Sequence, residues 1–361
     1  MKKHILFSYF LVLSLLTFAN DGAYFSGGGT IYPVKESNIS MNKEILSFRV
    51  VDGMCHVTIH FEFLNPGKES KKLLVGFQAP QAVGDVTDDE INHSQIFDFM
   101  VSQNQTLLPY QLKTAACEDC ELIDKQTIQS TQAGEYVFVY LFEVEFKPGI
   151  TELDHSYRFR AGDAVMTDQI YSYILKTGAK WAGGKINDLT VNLDLGNTPY
   201  FYVSDIFGKE ASWIVHGIGK VTRDVYNNYE TDCKLIRMLS GTLQIRVQNW
   251  NPEHNLQFGI INTNCFGTGF SFGDPKPDRV MTAVCSLNLD LLETPYTKTE
   301  LKLIRNTFFA QLGYVFSDAD LNTYFRQFDW YIPNPNLKSK DLKLPENVEA
   351  FIEEIQSREK R

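Results

Sequence analysis

The sequence predicts a mainly β protein: two antiparallel β-sandwich-like domains, then a small C-terminal α-helical hairpin module and a tail helix. Three observations predict it. Apolar and polar residues alternate at period two in run after run from Ile45 onward. Turn signals separate these runs every ~8–12 residues, the spacing of short antiparallel strands. Between residues 43 and 290 no stretch carries a convincing helical period, whereas from Thr297 the period becomes helical.

The chain opens with a targeting pattern. Lys2 and Lys3 precede an apolar run from Ile5 to Leu16, and Thr17-Phe18-Ala19 has the small-x-small form of a cleavage site. Residues 1–19 therefore read as a signal peptide, with Asn20 as the first mature residue. The run is too short to span a bilayer, and no later stretch approaches a spanning length, so no membrane span is expected after cleavage. Losing the two lysines takes the formal net charge from −10 to −12. An acidic chain gains nothing from phosphate neutralisation, which excludes nucleic acid as a partner class. The remaining chain divides into β domains at 20–160 and 161–292, a helical hairpin at 297–335, and a linker with tail helix at 336–361.

Within the first β domain, Thr30 to Val34 reads as an edge strand containing Pro33. Cys55, Val57, Ile59, Phe61 and Phe63 face one way and His56, Thr58, His60 and Glu62 the other. Asn65-Pro66-Gly67-Lys68 then turns the chain into Leu73 to Phe77, which reads as a hairpin. Ile96 to Val101 pairs with Thr106 to Leu112. Tyr136 to Phe146 is apolar on both parities at first, as a strand buried on two faces would be, and Leu153 to Phe159 is its expected partner. The second domain offers strands at Ile170 to Lys176, Leu189 to Leu195, Trp213 to Ile218, Leu243 to Val247 and Leu256 to Ile261.

Several motifs look chemical and fail on geometry. His56 and His60 share a strand face, but four residues along a strand span ~13 Å, too far for one metal ion. Asp85, Asp88, Asp89 and Glu90 lack the alternation and glycine turn of a calcium loop. Gly269-Phe270-Ser271-Phe272-Gly273 matches the nucleophile elbow of hydrolases, but Pro275 and Pro277 forbid the helix that must follow, and no histidine lies beyond His254. Cys117-Glu118-Asp119-Cys120 carries two acids that would raise a thiol pKa, and it lacks the second pair that zinc requires. A small structural disulfide between Cys117 and Cys120 is the reading, with up to two longer-range bonds among Cys55, Cys233, Cys265 and Cys285.

The helical stretch is the most explicit part of the chain. Thr297 and Glu300 form a capping box, Leu301, Ile304, Phe308 and Leu312 recur at helical spacing, and Gly313 sits at the left-handed C′ position. A second helix from Ser317 carries Leu321, Tyr324 and Phe325 on one side. Leu301, Ile304, Phe308, Leu321, Tyr324 and Phe325 are expected to pack between the two helices. Trp330 is expected across the open end with its indole N–H on a helix-end carbonyl. Tyr314 and Phe316, on the connecting turn, are the candidate contact surface. Val348, Phe351, Ile352 and Ile355 then mark the tail helix.

Arg305-Asn306, Phe309 to Tyr314, Phe316, Leu321, Tyr324-Phe325 and Trp330-Tyr331 resemble the YARHG domain, a small extracellular bacterial module. The central Tyr-Ala-Arg-His-Gly of that family stands here as Phe309-Ala310-Gln311-Leu312-Gly313, with the Arg and His replaced. The resemblance implies an exported or envelope protein and brings no established activity. The early glycines, Ile39-Ser40-Met41 with Glu44, and the run Phe61 to Pro66 are also similar to an uncharacterised family of exported bacterial β proteins.

These readings converge on a non-catalytic, exported protein with a binding or structural role at the bacterial envelope, periplasmic or extracellular. Its partner would be an envelope component or another protein. No catalytic residue, metal ligand or cofactor is expected. The alternatives are a hydrolase of envelope polymers using carboxylates such as Asp85 or Asp88, and an accessory subunit of an export or surface complex that offers an exposed β edge. N-terminal sequencing of protein from its native host is expected to begin at Asn20, and peptide mapping without reductant to join Cys117 to Cys120. An intact Met1, or free thiols at 117 and 120, would contradict the respective expectation.

Overall fold

The structure is a computed structural model that describes residues 21–27, 30–34, 38–79, 94–116, 122–123, 136–163, 169–196, 200–209, 211–227, 232–260, 278–328 and 330–360. Asp85, Asp88, Cys117, Cys120, Cys265 and the Gly269–Gly273 motif lie outside them. The first strands are β1 (Asp21–Gly27), β2 (Thr30–Val34), β3 (Ser40–Val51), β4 (Met54–Asn65), β5 (Lys71–Gln78) and β6 (Ile96–Gln103). Then come β7 (Thr106–Leu107), β8 (Gln111–Ala116), β9 (Leu122–Ile123), β10 (Tyr136–Phe146), β11 (Gly149–Arg160) and β12 (Gly162–Asp163). The last are β13 (Gln169–Tyr173), β14 (Ile186–Asp194), β15 (Tyr200–Ser204), β16 (Ile214–Asn227), β17 (Asp232–Trp250) and β18 (Leu256–Ile260). Four α-helices follow: α1 (Arg279–Ser286), α2 (Lys298–Gln311), α3 (Ala319–Arg326) and α4 (Glu346–Glu359).

The mainly β expectation holds. The described strands form a six-stranded sheet, ordered β2-β1-β5-β10-β8-β9, and a twelve-stranded sheet. Val75, Phe77, Phe142 and Phe146 from the small sheet share one apolar core with Phe61, Phe63 and Leu153 from the large one, which makes a sandwich. The large sheet runs through both stretches that the sequence separates at residue 160, because β14 pairs with β3 in parallel, Val191 opposite Leu46. The other pairings in the sheet are antiparallel.

Two expected hairpins are not formed. β4 pairs with β3 and β11, while β5 pairs with β1 and β10 in the other sheet. Likewise β10 and β11 lie in different sheets. In both places a Pro-Gly corner, Pro66-Gly67 or Pro148-Gly149, carries the chain across the sandwich instead of folding it back. Alternation specifies which face of a strand is buried, not which strand lies beside it. Hairpins do form elsewhere: β6 pairs with β7, Gln103 opposite Thr106, and β3 joins β4 through Asp52-Gly53, both at positive φ (50° and 75°).

β17 is the longest strand and bends at a bulge. Its register with β16 jumps from Ser240 opposite Ile218 to Met238 opposite Gly219, leaving Leu239 as the extra residue. The insertion switches parity, so Ile236 and Met238 before it and Leu243 and Ile245 after it all face the core. Beside the bulge Gly217 stands opposite Gly241. A Cβ on Gly217 would lie 2.2 Å from the Ser240 carbonyl oxygen, and one on Gly241 2.0 Å from that of His216. Only glycine lets the strands pass at that distance.

The helices divide their core in two. Thr297 and Glu300 form the expected capping box at α2. Gly313 ends that helix at φ +85°, and its N–H donates to the Ala310 carbonyl at 2.9 Å. Leu301, Ile304 and Phe308 of α2 do not pack against α3. They pack with Val280 and Val284 of α1 and with Phe351 and Ile355 of α4. Leu321 and Phe325 form a separate cluster with Ala310, Phe316, Trp330 and Tyr331, and Tyr324 is part-buried against it. The helix α1 contradicts the expectation of none before residue 290. Asp278 caps it, accepting from the backbone N–H of Val280 at 2.9 Å.

Cys55 and Cys233 do not take up the longer-range pairing expected of them, whereas Cys285 does form a disulfide. Cys55 and Cys233 are both reduced and buried. Cys55 faces the main core, whereas Cys233 shares its parity with Leu235 and Arg237 on the opposite face of β17. Cys285 is in a disulfide whose other half lies outside the described residues.

One side chain ties the helices to the sheet. Arg237, on the non-core face of β17, is completely buried. Its guanidinium donates to the Gln311 carbonyl at the end of α2 and, through Nε, to the Trp330 carbonyl at 3.3 Å. Leu239, the bulged residue, reaches the same place: a Cβ on Gly313 would lie 2.6 Å from its Cδ1. Arg237→Met keeps the side-chain length and removes both donations. It is expected to cost about 2–4 kcal/mol in chemical denaturation, since two carbonyls lose charged donors. Arg246→Met, at an exposed pair, is expected to cost less than about 1 kcal/mol.

Candidate functional site

Pleating decides what the outer face of the large sheet presents. In β3, β4, β11, β14 and the later part of β17, every second side chain enters the core and the intervening ones point away from it. Register then aligns those outward residues in rows across the strands. One row reads Met100, Ser156, Thr58, Ser47, Asn192, Gln244, Ile214, from β6 through β11, β4, β3, β14 and β17 to β16. The next row reads Ser102, Asp154, His60, Ile45, Thr190, Arg246.

At the β6 end these two rows line an open groove of about 420 Å³. Its walls are Met100, Ser102, Leu107, Asp154, Ser156, Thr58, His60, Ser47 and Ile45, and its floor is Ile59, Val101 and His155. Met100 and Leu107 stand at the mouth, 52% and 69% exposed.

The polar groups are coupled. His60 Nδ1 lies 2.8 Å from Asp154 Oδ1, and His60 Nε2 lies 3.7 Å from Glu62 Oε1. Glu62 in turn bonds Lys43 and accepts from Asn42 at 3.3 Å. Burial works to raise the Glu62 carboxyl, but these donors outweigh it and the net shift is downward. The hydrogen bond to Glu62 holds the Lys43 ammonium above its ordinary value. Farther along the face, Gln244 Nε2 donates to Asn192 Oδ1 at 2.7 Å, and Asn192 Nδ2 donates to Ser47 Oγ at 3.1 Å. Arg246 forms a two-point pair with Asp188, at 2.9 and 2.6 Å. Among the described residues no group of three or more His, Cys, Asp or Glu side chains could hold a metal ion.

The residues singled out by sequence are placed differently. Phe316 is 6% exposed and stacked on Phe325 at 5.1 Å, so the turn does not offer it as a contact surface. Tyr314 is half-buried, and its carbonyl accepts from the Tyr331 hydroxyl at 2.8 Å. Trp330 is 1% exposed, but its indole N–H has no partner among the described residues; its carbonyl is what Arg237 engages. His56 and His60 do point away from the core, as their parity predicts. Asp154, 94 residues from His60, could not be joined to it by reading along the chain.

The fold and this face define a β-sandwich protein with an open groove on one sheet and a helical module seated beside it. Residues 289–360 match the YARHG domain, so the C-terminal part of the chain is a YARHG domain that includes the tail helix. No curated protein matches the chain. A crystal structure from Legionella pneumophila, provisionally described as a nutrient binding protein, is similar over 94% of this chain and 99% of its own, with 18% identity and a TM-score of 0.50. At that identity the likeness concerns the fold alone. An M1 zinc metallopeptidase bound to L-arginine aligns over 60% of this chain and 44% of its own, at 9% identity and TM-score 0.22. The Deinococcus radiodurans M1 zinc metallopeptidase bound to a Tyr-Ser-Ala substrate aligns over 58% and 42%, at 8% identity and TM-score 0.24. Neither carries an argument at such scores. No helix among the described residues is long and apolar enough to cross a membrane.

His155, on the groove floor, links stability to pH. Rings of Phe61, Phe77, Phe99 and Phe142 surround it at 5.3–5.6 Å. Burial pushes the imidazole down from 6.5 to about 3. The unfolded chain binds a proton below pH ~6.5 and the folded one does not until near pH 3. This group therefore leaves stability untouched above that range and removes about 1.4 kcal/mol per pH unit below it. In denaturation at several pH values between about 4 and 6.5, His155→Leu is expected to flatten the slope by that amount. An unchanged slope would contradict the buried neutral imidazole.

Proposed function

We propose that this chain is a non-catalytic binding protein of the bacterial envelope, with the groove between Met100 and Ile45 as its ligand site. The observation that carries this is the groove itself: a preformed concavity whose walls combine exposed apolar side chains with hydroxyls and a few fixed charges. The YARHG domain and the export-type N-terminus support the location. The Legionella relative of the same fold, described as nutrient binding, fits such a role. Arg237 seats the YARHG domain on the sheet, leaving half-buried Tyr314 as the accessible part of its turn.

A hydrolase is the second reading, favoured by the His60–Asp154 pair, which has the geometry of a general base held by a carboxylate. Against it, the other ring nitrogen faces Glu62, not a nucleophile.

Co-sedimentation of the purified protein with isolated envelope of the native host tests the proposal. Met100→Lys with Leu107→Lys places two cations at the groove mouth and is expected to weaken retention by about tenfold or more at unchanged melting temperature. Equal retention would refute the groove as the site. Release of soluble fragments from envelope by the wild type, lost in His60→Ala, would favour the hydrolase.

A further inference from the structure

We propose that the row from Met100 to Ile214 is a track for an extended, uncharged, hydroxyl-rich polymer: a neutral glycan laid across the strands. The proposal rests on the binding reading above and extends the site from the groove to most of the sheet's width.

Charge selects the class. The five residues between the two ends are Ser, Thr, Ser, Asn and Gln, none of them ionisable. Most charged side chains alongside are matched in pairs: Arg158 with Asp98, Arg49 with Asp194 at 3.6 Å, Arg246 with Asp188, and Lys43 with Glu62; Asp154, in the adjoining row, stands 2.8 Å from His60 Nδ1. A track flanked by neutralised pairs favours neither a polyanion nor a polycation. Hydroxyl and amide groups each donate and accept, as sugar hydroxyls do.

The row is also held in place. The Gln244–Asn192–Ser47 chain fixes three of its members, and His216 Nε2 lies 3.3 Å from Gln244 Oε1 at the far end. A ligand therefore finds side chains already ordered, which lowers the cost of binding.

Spacing separates a glycan from a peptide. Adjacent strands lie ~4.8 Å apart, a spacing of the order of one sugar ring, so successive sugars of an extended chain would meet successive rungs. An extended polypeptide repeats at ~3.3 Å per residue, so its residues coincide with only every second rung. Six steps make a track of ~29 Å, and its ends, Met100 and Ile214, are apolar and 52% and 53% exposed. They would meet the C–H faces of the terminal sugars. No aromatic ring lies in the row, so affinity accumulates along the chain instead of at one platform.

Calorimetric titration with cellobiose and cellohexaose, maltose and maltohexaose, and chitobiose and chitohexaose tests this, with hexaglycine as the peptide control. At least one hexasaccharide is expected to bind about tenfold or more tighter than its disaccharide. Gln244→Lys and Ile214→Lys, both outside the groove, are each expected to weaken the hexasaccharide and leave the disaccharide unchanged. Binding of none of the sugars, or tighter binding of hexaglycine, would overturn the proposal. Equal affinity for both lengths, with loss only in the Met100 and Leu107 variant, would overturn the track while leaving the groove reading intact.

Discussion

A buried arginine governs how the two parts of this protein meet. Desolvating a guanidinium is costly unless hydrogen bonds replace its water. Arg237 finds two carbonyls, one at the end of α2 and one at Trp330. The last carbonyls of a helix have no intrahelical partner and carry partial negative charge. A cation from the sheet thus satisfies groups that the YARHG domain cannot satisfy alone. Gly313 and Leu239 fix the approach sterically, while Arg237 fixes it electrostatically. Among the described residues, seating the domain at this end of the sheet leaves the rows around β3, β4 and β11 uncovered.

That uncovered face and the core are two readings of the same strands. On β11, His155 enters the aromatic core while Asp154 and Ser156 on either side of it line the groove. Moving this strand by one residue would put a carboxylate among the phenylalanines and the imidazole in water, so the register is strongly specified. Positioning of the groove is therefore a by-product of core packing.

Much of this was legible in sequence, though unevenly. Alternation identifies the faces of β4 and β14, and the capping box and Gly313 mark both ends of α2, because those signals are local. Strand pairing is not local. The chain crosses between sheets at Pro66-Gly67 and Pro148-Gly149, where composition alone suggests a return. The bulge at Leu239 looks like any apolar residue in a strand, yet it switches parity and sends Arg237 to the helices. Helix α1 has only eight residues, too few for periodicity to stand out. The division of the α2 core between α1 and α4 has no sequence signature, since one apolar stripe serves either neighbour. The His60–Asp154 pair and the uncharged row needed register, which only the folded sheet supplies.

The central claim is that sheet and YARHG domain form one cooperative structure through the Arg237 seat. Differential scanning calorimetry of the unmodified protein tests it most directly. One transition whose calorimetric and van't Hoff enthalpies agree is the predicted result. Two resolved transitions, with the smaller assignable to residues 278–360, would contradict the account.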